Sequence, residues 1–190
     1  MSDIFPKWVN QVPAMGAIMA VVLGTSVAAG VTYYFTPKYT RVGYQPKQPI
    51  AFSHKIHAGQ YEIDCKYCHF GSESSRKAGV PPVSVCMNCH KSVKTDSPQI
   101  KDLTKAYESG QSVQWVKIHN NPDFVAFDHS RHVGKGVACQ TCHGPVEEMT
   151  EVYQYNNLSM GWCVNCHREY NANPPEALKD KHIHAQIDCT

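Results

Sequence analysis

The hydrophobic pattern divides the chain in two. From Ala14 to Phe35 there are 22 residues without a charge, enough at about 1.5 Å of rise per residue to cross a hydrocarbon layer of roughly 30 Å as one helix. Tyr33, Tyr34 and Phe35 stand where an aromatic belt meets the headgroups, and Pro37 closes the run. Gly16, Ala20, Gly24 and Ala28 recur at every fourth position, a smooth stripe against which another membrane helix can pack closely. A cleaved leader is the competing reading, since Val27-Ala28-Ala29 has the small residues of a cleavage site. The apolar run is longer than an ordinary leader core, however, and the chain begins at Met1. An uncleaved anchor over residues 1–37 is expected.

After Pro37 no long apolar period survives. Pro46 and Pro49 keep residues 38–51 extended as a tether. One helix is predicted near residues 97–110: Asp96 or Ser97 can cap it, Pro98 suits its first turn, Ile100, Leu103 and Tyr107 share a face, and Gly110 ends it. Trp115 to Ile118 reads as extended and leads through His119 to a turn at Asn120-Asn121-Pro122, and residues 171–181 form another polar, proline-containing stretch.

What this irregular region does carry is a five-residue pattern repeated four times: Cys65-Lys66-Tyr67-Cys68-His69, Cys86-Met87-Asn88-Cys89-His90, Cys139-Gln140-Thr141-Cys142-His143 and Cys163-Val164-Asn165-Cys166-His167. Cys-x-x-Cys-His is the attachment pattern of c-type haem. The two thiols bond the porphyrin's vinyl groups, and the histidine stands under the iron as its proximal ligand. Zinc ribbons use Cys-x-x-Cys pairs without needing a histidine immediately after each, and disulfides need none at all. The 150 or so residues after Pro37 must then enclose four large apolar macrocycles, which make most of the core. The fold expected is a multihaem c-type cytochrome, mostly irregular, with short α-helices wrapped around haems and one N-terminal transmembrane helix.

Charge changes its meaning in that light. The formal +2 falls to about −6 once two propionates per haem are counted, so the basic pI implies no nucleic-acid partner. Haem is attached on the outer face of the bacterial inner membrane, which puts the cytochrome domain in the periplasm and the N-terminus in the cytoplasm. Lys7 before the span and Lys38, Arg41 and Lys47 after it argue for the reverse orientation. The attachment chemistry is the stronger constraint.

The motifs also lie in a duplication. Phe52-Ser53-His54-Lys55-Ile56-His57 precedes the first pair of motifs, and Phe127-Asp128-His129-Ser130-Arg131-His132 precedes the second, with offsets of 75 residues at the phenylalanine, 74 at the first motif and 77 at the second. Two modules, residues 52–90 and 127–167, are joined by a linker, residues 91–126, and followed by a tail, residues 168–190. The repeated His-x-x-His phrase marks His54, His57, His129 and His132 as distal axial ligands. Spacing of i, i+3 cannot place both imidazoles on one iron, so each pair should serve two different haems. His119 is a further ligand candidate. Met149 and Met160 could offer a thioether to an iron, with packing against porphyrin as the alternative. With the axial positions filled, the chain has no site for substrate and should move electrons without bond chemistry.

The ninth cysteine, Cys189, completes the inventory. Ile183-His184-Ala185-Gln186-Ile187-Asp188-Cys189 repeats the phrase Ile56-His57-Ala58 … Ile63-Asp64-Cys65 with a three-residue gap, so Cys189 is expected to open a fifth haem motif, with His184 or His182 free to ligate. The cofactors expected are thus haem c, four from complete motifs and a fifth at Cys189.

Phe127 to Arg168, read with FSHKIHAGQYEIDCKYCH and the N-terminal anchor, resembles the membrane-associated multihaem cytochromes related to the cytochrome c7 class, and among them the pentahaem cytochrome subunit of alternative complex III. The resemblance implies a bacterial quinol-oxidising respiratory complex with an iron–sulfur subunit, integral membrane subunits that hold the quinol site, and a monohaem cytochrome c or terminal oxidase as acceptor. In that family this subunit is an electron wire and not the quinol site. The sequence departs from the family in having four complete motifs. Two other classes compete: a small anchored tetrahaem quinol dehydrogenase that binds quinol at the membrane-proximal haem, and a nitrite-reductase-like enzyme, whose Cys-x-x-Cys-Lys variant is absent here.

Overall fold

The computed structural model describes residues 5–36, 41–176, 179 and 184–187. Among these residues there is no β-strand, and seven α-helices are separated by tight turns and extended chain. The chain falls into two units, Met1–Thr40 and Arg41–Thr190.

The first unit is a 3-10 turn, Lys7–Gln11, running into helix α1, Val12–Phe35. Its 24 residues give a length of about 36 Å, more than a bilayer's hydrocarbon thickness. Pro13 sits in the first turn, where its missing N–H costs nothing. Both threonines of the helix bond back to it: Thr25 Oγ1 donates to the Val21 carbonyl at 2.9 Å and Thr32 Oγ1 to the Ala28 carbonyl at 2.8 Å. Back-bonding of this kind lets a threonine lie in lipid without an unpaired polar atom. No residue of α1 is buried, as befits a helix whose whole surface is apolar.

In the second unit the helices are short because the motifs are short. Helix α2 is Cys65–Cys68, α3 Val83–His90, α4 Pro98–Glu108, α5 His129–Val133, α6 Cys139–His143 and α7 Met160–Ala172. A π-helical turn, Lys55–Gln60, precedes α2, and 3-10 turns at Phe70–Ser72 and Val146–Glu148 follow the first motif of each module. Helix α4 is the one read from hydrophobic spacing. Ser97 occupies its N-cap position, Leu103 is buried at 4% exposure, and Gly110 takes a left-handed φ of 69° just past the end. Tyr107, placed on the same face by spacing, is exposed. Helix α7 continues beyond His167 to Ala172, so the boundary drawn after the fourth motif lies inside a helix.

The segment read as a tether is bound down. The Gly43 N–H donates to the Gln154 carbonyl at 2.8 Å, the Gln154 N–H to the Tyr44 carbonyl at 3.1 Å, and Gln45 Nε2 to the Glu151 carbonyl at 2.8 Å. Gln48 pairs with both backbone groups of Val116, each at 2.9 Å. Residues 41–51 are therefore a strap across the second unit.

Candidate haem-binding sites

Each Cys-x-x-Cys-His motif is wound into a helical turn, which brings the i and i+3 cysteines to one side and leaves the histidine at the turn's end. Two of the motif helices are capped by a side chain: Asp64 accepts from the Lys66 N–H at 2.7 Å to start α2, and Ser159 accepts from the Trp162 N–H at 3.2 Å to start α7. Asp128 does the same for the His-x-x-His helix α5, accepting from the Ser130 N–H at 2.9 Å. None of the eight motif cysteines is paired in a disulfide.

Four motif histidines each stand opposite a histidine of the repeated His-x-x-His phrase. Ring centres are 6.4 Å apart for His54 and His69, 6.1 Å for His57 and His90, 6.4 Å for His129 and His143, and 6.1 Å for His132 and His167. Metal–imidazole bonds are about 2.0 Å, and a ring centre lies about 1.1 Å behind its nitrogen, so an iron held between two imidazoles separates the centres by about 6 Å. The four gaps have that width. Ring planes in the first pair of each module are nearly parallel, at 6° and 7°, whereas the second pairs are turned by 61° and 27°.

The other ring nitrogen is engaged in six of these eight imidazoles. His57 Nδ1 contacts the Ser53 carbonyl and His132 Nδ1 the Asp128 carbonyl, each four residues back and each at 2.8 Å. His129 Nδ1 contacts the Arg76 carbonyl at 2.8 Å, His69 the Gly79 carbonyl at 2.6 Å, His90 the Val93 carbonyl at 3.0 Å and His167 the Gln186 carbonyl at 2.5 Å. A carbonyl on Nδ1 makes that nitrogen the N–H and leaves the Nε2 lone pair free for a metal, the arrangement that orients ligating imidazoles generally. Phe52 packs on His54 and His57 with ring centres 4.8 and 4.3 Å away, and Phe127 does the same for His129 and His132, 4.7 Å from each. The duplicated phenylalanine is thus a wedge that spaces the two rings.

The modules exchange support. In one direction the Lys55 N–H donates to the Met149 carbonyl at 2.9 Å, and Gly59 lies so near the Glu147 carbonyl that a Cβ would collide with it. In the other, the His129 and Ser130 N–H groups donate to the carbonyls of Arg76 and Ser75, both at 3.2 Å. Each His-x-x-His segment is thereby seated on the loop that follows the first motif of the other module. Cys65 and Cys139 neighbour each other across the same junction, and Cys68 lies near Cys86 and Cys89 as Cys142 lies near Cys163 and Cys166. The motifs therefore run second, first, third, fourth in space, with the first and third adjoining at the centre.

Electrostatics suits neutral ligands. Burial, followed by the charges of His69, His57 and His119, pulls His54 down to about 4, and burial followed by His119, His129, His69 and His54 pulls His143 down to about 3. Neutral imidazole is the form that binds iron. Burial also pushes the Cys142 thiol up to about 11, which marks sparse hydration at that motif. Among the described residues only Met87, Leu103 and Met149 are buried apolar side chains, so the second unit supplies little apolar core of its own. Histidine pairs at metal-spanning distance, thiols at the helical spacing of a vinyl pair and a sparse side-chain core all fit covalently bound haem.

The remaining candidates are placed differently. His119 packs edge-on against His143 with ring centres 4.4 Å apart, closer than a shared metal permits. Met160 is exposed at the start of α7, and Met149 is buried in the turn that receives Lys55. His184 is exposed, while Cys189 and His182 lie outside the described residues. Sequence reasoning missed Gln154, which is fully buried and ties the Gly43–Tyr44 strap to the Asn120 N–H at 3.1 Å and the Asn156 carbonyl at 3.0 Å. A glutamine in an irregular stretch gives no advance sign of such a role.

Residues 35–123 match the class III cytochrome C family. The chain is 30% identical over 148 residues, covering 67% of its own length and 70% of the relative's, to the multihaem cytochrome c subunit of menaquinone reductase from Nitratidesulfovibrio vulgaris.

Proposed function

Because the chain belongs to the class III cytochrome c family of multihaem cytochromes, we propose that it is a membrane-anchored electron relay within a quinol-linked respiratory complex. The observation that carries this reading is the set of four imidazole pairs at 6.1 to 6.4 Å, with His54, His57, His129 and His132 as distal partners of His69, His90, His143 and His167. Haem c, when bound, supplies one-electron redox chemistry at its iron.

The chain's own part is to hold, space and insulate. Backbone carbonyls fix six imidazole tautomers, Phe52 and Phe127 set the distance between neighbouring rings, and the exchanged loops keep the two modules in register. Axial positions filled on both sides leave no coordination site for a substrate, which favours relay over an enzyme of the nitrite-reductase kind. On this reading His119 and Met160 have no iron among the four.

Helix α1 would hold the relay at the inner membrane with the cytochrome unit in the periplasm. The partners would be integral membrane quinone-reacting subunits and an iron–sulfur subunit. The flow resembling alternative complex III runs from quinol toward a monohaem cytochrome c or terminal oxidase. The relative from Nitratidesulfovibrio vulgaris favours the opposite direction, into menaquinone.

The test uses the native membrane complex. Carbon monoxide should bind none of its c-type haem, near-infrared magnetic circular dichroism should show mainly bis-imidazole bands, and a pulse of menaquinol should reduce the haems only while the membrane subunits remain attached. A haem that binds carbon monoxide would count for an enzyme. Quinol oxidation by this chain alone would make it the tetrahaem dehydrogenase instead. A pyridine haemochrome count of five haems per chain would bring Cys189 into the set.

A further inference from the structure

The pseudo-symmetry of the two modules fails in the support of the imidazoles at their junction. Of the eight paired imidazoles, His54 and His143 are the two without a backbone carbonyl on Nδ1 among the described residues. They belong to the first and third motifs, which adjoin at the module junction. His54 Nδ1 is buried with no hydrogen-bond partner, although its counterpart His129 has the Arg76 carbonyl. The same region holds a second buried, unpartnered ring nitrogen, His119 Nε2.

His119 comes from the linker, which has no copy in the duplication, so nothing opposes its filling a role on one side only. Its backbone is held by the Asn120 N–H bond to the fully buried Gln154, and its ring stands at 87° to that of His143 with centres 4.4 Å apart. With Nε2 on iron, His54 must carry its proton on Nδ1, a buried donor in need of an acceptor. His119 with its proton on Nδ1 offers Nε2 as that acceptor.

We infer that His119 is a positioning residue for two metal-facing imidazoles, packing against His143 and accepting from His54 Nδ1–H through one buried water. A hydrogen bond to the outer nitrogen of an axial imidazole orients the ring and makes it a stronger donor to the metal. Removing the acceptor therefore moves a potential without removing a ligand. The inference rests on the four-site reading above, and the experiment separates the two.

Full-length protein in its complex is prepared as wild type, His119→Ala and His119→Gln, and each is titrated potentiometrically alongside electron paramagnetic resonance. With His119→Ala, haem content and low-spin character should be unchanged while the midpoints of one or two haems shift and the others hold. With His119→Gln, whose amide oxygen can accept, the shift should be at least partly reversed. Unmoved midpoints in His119→Ala would overturn the inference. So would a new high-spin, carbon-monoxide-binding haem, which would make His119 a ligand itself, or equal haem loss in both variants, which would make its role only structural. A wild-type spectrum without bis-imidazole bands would sink the four-site reading and this inference together.

Discussion

His129 rests its Nδ1 on the carbonyl of Arg76, a residue 53 positions earlier and in the other half of the duplication. A ligand's orientation in one module is thus set by the backbone of its neighbour. Neither half should assemble correctly alone. Expressed separately in an export-competent host, residues 41–110 and 111–190 should each give haem with a heterogeneous spectrum, and co-expression should restore the low-spin spectrum of the intact chain.

Ligand substitutions should cross over between motifs. His57→Ala should disturb the haem attached through Cys86 and Cys89, since His57 stands opposite His90, and leave the one on Cys65 and Cys68 low-spin. His132→Ala should likewise affect the haem on Cys163 and Cys166. Each variant should gain one high-spin haem per chain by electron paramagnetic resonance. A change at the motif immediately downstream would refute the pairing.

Ring planes should be visible in the same spectra. Near-parallel imidazoles, at 6° and 7°, should give rhombic low-spin signals for the first and third sites, while the 61° twist at His57 and His90 should give a more anisotropic one. Four equivalent signals would contradict the geometry.

Acid should act late. His54 and His143 are held at about 4 and about 3, chiefly by burial, against an ordinary 6.5. For groups so depressed, the folded state loses stability only as pH falls below about 6.5, and the loss grows toward the folded values. The ferric low-spin spectrum should be constant from neutral pH down to about 6.5 and collapse only toward about 4. Loss of the spectrum above 6.5 would mean these imidazoles are not buried as described.

Two substitutions test the packing. Gly59→Ala drives a methyl into the Glu147 carbonyl and should destabilise the holoprotein by about 1–3 kcal/mol. Gln154→Ala leaves the half-buried Asn120 N–H without its acceptor and opens a void at a fully buried side chain, and should cost about as much. Gly161→Ala, whose nearest neighbour is Ser159 Oγ at 4.0 Å, is the control and should change stability by no more than about 0.5 kcal/mol. Thermal melting followed by Soret absorption reads all three.

What the sequence made legible is what is local. The apolar helix from Val12 to Phe35 and the helix from Pro98 to Glu108 each follow from composition and spacing over a short stretch. The i, i+3 spacing of His54 and His57 already required separate partners. What stayed hidden is non-local and made by backbone: the carbonyls of Arg76, Gly79, Val93 and Gln186 carry no side-chain mark, so their placement on imidazoles could not be read. Residues 41–51 looked like a free tether because prolines exclude a helix, yet extended chain with glutamines at positions 45, 48 and 154 can be pinned as firmly as a strand.

The reciprocal seating of each His-x-x-His segment on the other module's loop has the form of an isologous contact, in which one surface patch meets its own copy across a two-fold axis. The duplicated chain thus has the form of a dimer whose two protomers are joined through residues 91–126. In a dimer of that kind the two-fold passes between the first motifs and the later motifs lie at the outer ends. Such an assembly can be lengthened only outward, by appending motifs beyond the fourth, because the centre is already closed upon itself.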